Sequence, residues 1–351
     1  MRTLLAGYGS RFAVAAVLAC SACGGSAPPA ETGGASPSAP SSSDPRATGP
    51  APAVSGPEPP ASPELMAGIK AFDAGNYPDA RKSFETAAKK NPNNYEALYN
   101  LGLACEKLND AAAAESAYKA ALSVKPDLDS ASAALSALDL DAGRADDAIA
   151  VTRAGLAKHA GSAALHENLG IALAANGDQD GATKEFSQAI QITSSEPMFH
   201  LTFAHWLNVW RQRGAAPHLD AARDLAKDDY GMIASIGHEY RMAGEFDSCV
   251  KTFDRAVAMK DGGEVRTERA LCRLGLKDEK GTLADLQAAV DKEPTYGPAH
   301  YYLGGRLAMA KRFKDAAAEY GKYLQVEPNG SLAKPAADRM KAAQDAAAKR
   351  K

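Results

Sequence analysis

The sequence predicts an all-α chain in which about eight helix-turn-helix repeats stack into a superhelical solenoid, closed by a C-terminal capping helix. Three observations carry that prediction. One spacing pattern recurs about every thirty-four residues, a period that belongs to stacked repeats rather than to independent globular domains. Composition agrees: 45% of the 351 residues are hydrophobic but only 7% aromatic, and the many alanines suit helices that pack closely. The stretch 95–126, YEALYNLGLACEKLNDAAAAESAYKAALSVKP, shows the unit in full, with Leu101-Gly102 followed by Ala114, Tyr118, Ala121 and Pro126. Small residues at these steps let two helix backbones approach, an aromatic ring fills the space between them, and proline follows where the second helix stops.

Residues 1–19 read as a secretory signal. Arg2 and Arg11 precede the apolar run Phe12-Ala13-Val14-Ala15-Ala16-Val17-Leu18-Ala19, which is too short to span a bilayer. Val17-Leu18-Ala19-Cys20 resembles the lipobox of bacterial lipoproteins, a resemblance that implies a lipid on Cys20 as the mature N-terminus; the other reading is ordinary cleavage after Ala19. Ser21 after the cysteine resembles outer-membrane sorting. The expected location is therefore outside the cytoplasm, on a membrane-anchored lipoprotein of the outer membrane facing the periplasm. Cys20 and Cys23 form a CxxC, but no βαβ pattern surrounds it, so a redox role is not expected.

Residues 20–60 are almost wholly Gly, Ala, Ser, Pro and Thr. They cannot bury enough apolar surface to offset the cost of ordering and read as a tether. The repeats occupy 61–328. The first carries Gly68, Ala80, Phe84, Ala87 and Pro92, with its turn at Gly75-Asn76-Tyr77; the second is the reference unit. The third keeps Leu135, Gly143 and Ala148 but has Thr152 where the aromatic belongs, and the fourth has Leu169-Gly170, Gly177, Ala182, Phe186 and Ala189. The fifth is irregular: its first helix is predicted over about 198–213, with Phe199, Phe203, Trp206 and Trp210 on one stripe, and a short second helix follows Gly214 and Pro217. The sixth shows Ile236-Gly237, Tyr240, Gly244, Cys249, Phe253 and Ala256. The seventh keeps only Leu286, Ala289 and Pro294, while the eighth is clear with Leu303-Gly304, Ala316, Tyr320 and Pro328. Residues 329–351 form the capping helix, whose basic end suits the negative pole of a helix dipole.

This pattern of YNLG, small residue, aromatic, small residue and Pro resembles the tetratricopeptide repeat (TPR). The resemblance implies a binding protein whose first helices line a concave groove. It places Tyr99, Glu167, His205, His238, Arg241, Tyr301 and Met309 on that face. The Lys/Asn/Arg clamp with which chaperone-binding members grip acidic C-termini is not found, because Leu65 and Ile69 stand at its first positions. A peptide or helix segment laid along the groove is the expected ligand. Trp206 and Trp210 are expected to fill core space, or else to act as an aromatic anchor for that ligand.

A net charge of −3 and no Lys/Arg stripe argue against nucleic acid as a partner. Metalloprotease, phosphate-loop, nucleophile-elbow and paired-cysteine zinc motifs are all missing, so no cofactor, metal or catalytic residue is expected. His200 and His205 lie five apart, roughly 140° around their helix, and do not form a chelating pair. Cys105, Cys249 and Cys272 are expected as small core residues, with Cys249 and Cys272 placed so that a disulfide is also open to them. The whole reads as an exported, lipid-anchored scaffold or assembly factor for a cell-envelope complex. The alternatives are a regulator of a cell-wall enzyme, or an enzyme with a site that no motif marks.

Overall fold

About half of the helix starts among the described residues are set by capping side chains. Ser62, Asn76, Asn94, Asp110, Ser162, Asp178, Asp229 and Asp278 each accept a backbone N–H from the first turn of the helix that follows, which satisfies a donor the helix itself leaves open. The turns within hairpins use a left-handed residue. It is Gly75, Gly143, Gly177 or Gly244 in four hairpins and Asn109, Arg211, Lys277 or Lys311 in the others.

The computed structural model describes residues 62–349. The expected signal segment, Cys20 and the whole of the tether lie outside the described residues. These fold into seventeen helices with no strand, and separate into two units between Ala160 and Gly161. The first unit holds three hairpins: α1 (Pro63–Asp73) with α2 (Tyr77–Lys90), α3 (Tyr95–Lys107) with α4 (Ala111–Val124), and α5 (Asp129–Asp141) with α6 (Ala145–Leu156). The second holds five: α7 (Ala163–Ala175) with α8 (Gln179–Ile192), α9 (Pro197–Val209) with α10 (Ala215–Leu225), α11 (Tyr230–Ala243) with α12 (Phe246–Met259), α13 (Gly263–Gly275) with α14 (Glu279–Lys292), and α15 (Gly297–Met309) with α16 (Phe313–Val326). The terminal helix α17 (Ala333–Ala348) packs on α16. Eight hairpins and a closing helix are what the period predicts.

Inside each hairpin one pair of positions sets the distance between the helices. In five hairpins it is a glycine under an aromatic ring: Gly68 under Phe84, Gly102 under Tyr118, Gly170 under Phe186, Gly237 under Phe253 and Gly304 under Tyr320. In the other three the corresponding pairs are Ser136 with Thr152, Ala204 with Leu219, and Ala270 with Leu286, all at most 1% exposed. A larger residue on the first helix is matched by a smaller one on the second, which conserves the volume between them. Thr152 turns its hydroxyl back to the carbonyls of Ala148 and Ile149 at 2.8 and 3.1 Å and so satisfies itself, whereas the buried Ser136 hydroxyl has no hydrogen-bond partner.

Two expectations need correction. The first helix of the fifth repeat stops at Val209, not near residue 213, because Arg211 turns left-handed at φ 56°. Tyr301 does not lie on an open face. It is 6% exposed, with its ring 5.8 Å from those of Tyr320 and Tyr323 and the Arg339 guanidinium of α17 4.9 Å above it. Cys249 of α12 and Cys272 of α13, with Cα atoms 5.8 Å apart, form a disulfide between consecutive hairpins, and Cys105 is a buried free thiol.

Candidate functional site: the first-helix face of the second unit

Stacking hairpins at a period near thirty-four residues sets the first helices side by side, so side chains one repeat apart meet. In the second unit they form a polar ladder. Thr202 Oγ1 of α9 donates to Glu167 Oε1 of α7 at 2.7 Å. His205 Nδ1 of α9 meets Glu239 Oε1 of α11 at 2.9 Å, and Asn208 donates to Glu239 Oε2 at 2.8 Å and to its carbonyl at 3.0 Å. Arg241 Nε of α11 donates to Glu268 Oε2 of α13 at 3.0 Å, with His238 Nδ1 3.8 Å from the same oxygen.

Four of the residues expected on the groove, Glu167, His205, His238 and Arg241, thus belong to this ladder, each held by a neighbouring repeat. Its carboxylates differ in charge state for physical reasons. Burial pushes Glu167 up to about 7, against a smaller downward pull from Thr202. Burial also pushes Glu239 and Glu268 up, but hydrogen bonds from His205 and Asn208 to the first, and the nearby His238 ring with the Arg241 hydrogen bond at the second, outweigh it and leave both below the ordinary value.

Beside the ladder stands a feature the sequence reading caught at one position only. Val209, Met242, Leu276 and Met309 are 46%, 58%, 39% and 66% exposed, one within a residue of the C-terminal end of each of α9, α11, α13 and α15. Their recurrence at steps of 33, 34 and 33 residues was the available signal. Of the other expected residues, Tyr99 of the first unit is half-buried with its ring 5.7 Å from that of Tyr118. Trp206 is 8% exposed and belongs to the core, while Trp210 is half-buried at the end of α9, the two rings 5.8 Å apart.

Among the described residues no group of three or more His, Cys, Asp or Glu is placed to hold a metal ion, and no helix is long and apolar enough to cross a membrane. The histidines are nevertheless less scattered than the sequence suggests. His166 Nδ1 meets Glu185 Oε2 and His300 Nδ1 meets Glu319 Oε2, each at 2.6 Å, and His200 meets His218 across its hairpin.

The geometry is that of a helical-repeat protein with the tetratricopeptide fold. A tetratricopeptide repeat family model matches residues 65–133 and 134–197, the first four hairpins. The structure of yeast Tom70 superimposes with a TM-score of 0.50 at 13% identity, over 82% of this chain and 64% of that one. A tetratricopeptide repeat protein from Parabacteroides merdae gives 0.44 at 15% identity over 79% and 97%. MamA from Desulfovibrio magneticus gives 0.41 at 20% identity over 47% and 94%. The chain therefore spans about two thirds of the Tom70 chain. A search of curated protein sequences returns no match.

Proposed function

We propose that this chain is an exported, lipid-anchored scaffold that binds a peptide or helix segment of a cell-envelope protein along the first-helix face of its second unit. The observation that carries this reading is the recurrent apolar row of Val209, Met242, Leu276 and Met309 beside a ladder whose polar groups are occupied by one another. Such a face offers a partner apolar burial at regular intervals, and few free charges that it must match. Lipidation at Cys20 rests on the lipobox-like Val17-Leu18-Ala19-Cys20. The Cys249–Cys272 disulfide favours an oxidising compartment, where such bonds persist.

Photo-crosslinking in intact cells tests the binding face, with the reactive group at Met242 and, separately, at Met309. Capture of one and the same envelope protein from both positions is the expected result. Capture at neither, with the protein present at normal level, overturns the binding face. The Cys20→Ala variant tests the anchor: it is expected to leave the membrane fraction, and unchanged partition rejects lipidation.

A further inference from the structure

Three hairpins of the second unit place a histidine at the fourth residue of their first helix: His166 in α7, His200 in α9 and His300 in α15. Each is answered from one slot on the second helix, four residues before Ala189, Ala222 or Tyr323. In the fourth and eighth hairpins that slot holds a glutamate, Glu185 or Glu319, 2.6 Å from the histidine Nδ1. In the fifth it holds His218, whose Nδ1 lies 3.2 Å from Nδ1 of His200. A carboxylate that pairs with imidazole has been exchanged for a second imidazole, and the exchange changes what the slot can bind.

We propose that His200 and His218 form a two-imidazole site for a late first-row divalent metal ion of the Cu(II) or Zn(II) class. The separation matches the chemistry. Two imidazole nitrogens bound to one tetrahedral ion at about 2.0–2.1 Å stand about 3.3 Å apart, close to the 3.2 Å observed. The remote nitrogen of His200 faces the Ser194 carbonyl at 3.4 Å, the backbone contact that typically orients a metal-binding imidazole and leaves its other nitrogen as the donor. His218 is held by the ring of Phe203, 4.6 Å away centroid to centroid. Both side chains are partly exposed, which leaves an entry path. With no third His, Cys, Asp or Glu grouped with them among the described residues, water fills the remaining coordination positions. Imidazole pairs suit copper and zinc and are poor for magnesium or calcium.

The neighbouring hairpins supply the control. His218→Glu rebuilds the His–Glu pair of the fourth and eighth hairpins and keeps the fold; His218→Gln removes the donor with little change in size. Calorimetric titration of the purified protein with Cu(II) is expected to show one equivalent that both variants lose or weaken about tenfold or more. Electron paramagnetic resonance of that equivalent is expected to show coupling to two nitrogens. Circular dichroism checks that each variant is folded. Should both folded variants bind the same number of Cu(II) ions as the parent with the same affinity, or should the parent bind none at micromolar concentration, the pair is a hydrogen-bonded contact and the metal site is rejected.

Discussion

Gly102 lies directly beneath the ring of Tyr118: a Cβ added at the glycine would stand 2.3 Å from Tyr118 Cε1, far inside van der Waals contact. Gly102→Ala therefore forces the two helices of the second hairpin apart and is expected to cost about 1–3 kcal/mol by overpacking. The Ser136/Thr152 and Ala204/Leu219 hairpins show how the clash is relieved. Adding Tyr118→Leu to Gly102→Ala is expected to cost less than the sum of the two single changes. Thermal melting of the three variants measures the coupling, and additive losses would mean that the two positions do not share one volume.

The Cys249–Cys272 disulfide joins α12 to α13 across 23 residues. Closing a loop of that length in the unfolded chain is worth roughly 3 kcal/mol in the chain-entropy view. Reduction, or Cys249→Ala with Cys272→Ala, is expected to lower the melting temperature. Thiol labelling of the unfolded chain adds a compartment test: the exported form is expected to expose one thiol among Cys105, Cys249 and Cys272, and a form made without residues 1–23 in the cytoplasm three.

Trp206 and Met309 are expected to separate by role. Trp206, 8% exposed, is core, and Trp206→Ala is expected to cost about 3–5 kcal/mol. Met309, 66% exposed, belongs to the proposed binding face. Met309→Glu is expected to leave urea unfolding unchanged while abolishing crosslinked capture at Met242. Capture that survives Met309→Glu moves the binding face elsewhere on the molecule.

The repeat was legible because its signals are local. Gly102, Ala114, Tyr118 and Ala121 meet within one hairpin, so spacing alone fixes them. The face was less legible, since what covers a first helix lies a repeat or more away. Tyr301 carries the sequence marks of a groove residue, yet α17 lays Arg339 over it. The end of α9 was misplaced because Arg211 adopts the left-handed turn without the glycine that marks it at Gly75 or Gly244. His218 escaped notice because its partner is on another helix, and only alignment with Glu185 and Glu319 shows that it stands in an acid's place.

Glu167 offers a test of the ladder through pH. Burial raises its carboxyl from the ordinary 4.5 to about 7, so between those values the folded chain holds a proton that the unfolded chain has lost. Stability is then full below about pH 4.5 and falls as pH rises through 7, by at most about 1.4 kcal/mol per unit. Glu167→Gln keeps an oxygen for the Thr202 hydroxyl and carries no charge at any pH. It is expected to match the parent at pH 5 and to exceed it at pH 8 by on the order of 1–3 kcal/mol. Urea midpoints at pH 5, 6, 7 and 8, followed through Trp206 and Trp210 fluorescence, measure the difference. Equal pH profiles for the two proteins would mean that the folded chain keeps Glu167 ionised, with water reaching the ladder between α7 and α9.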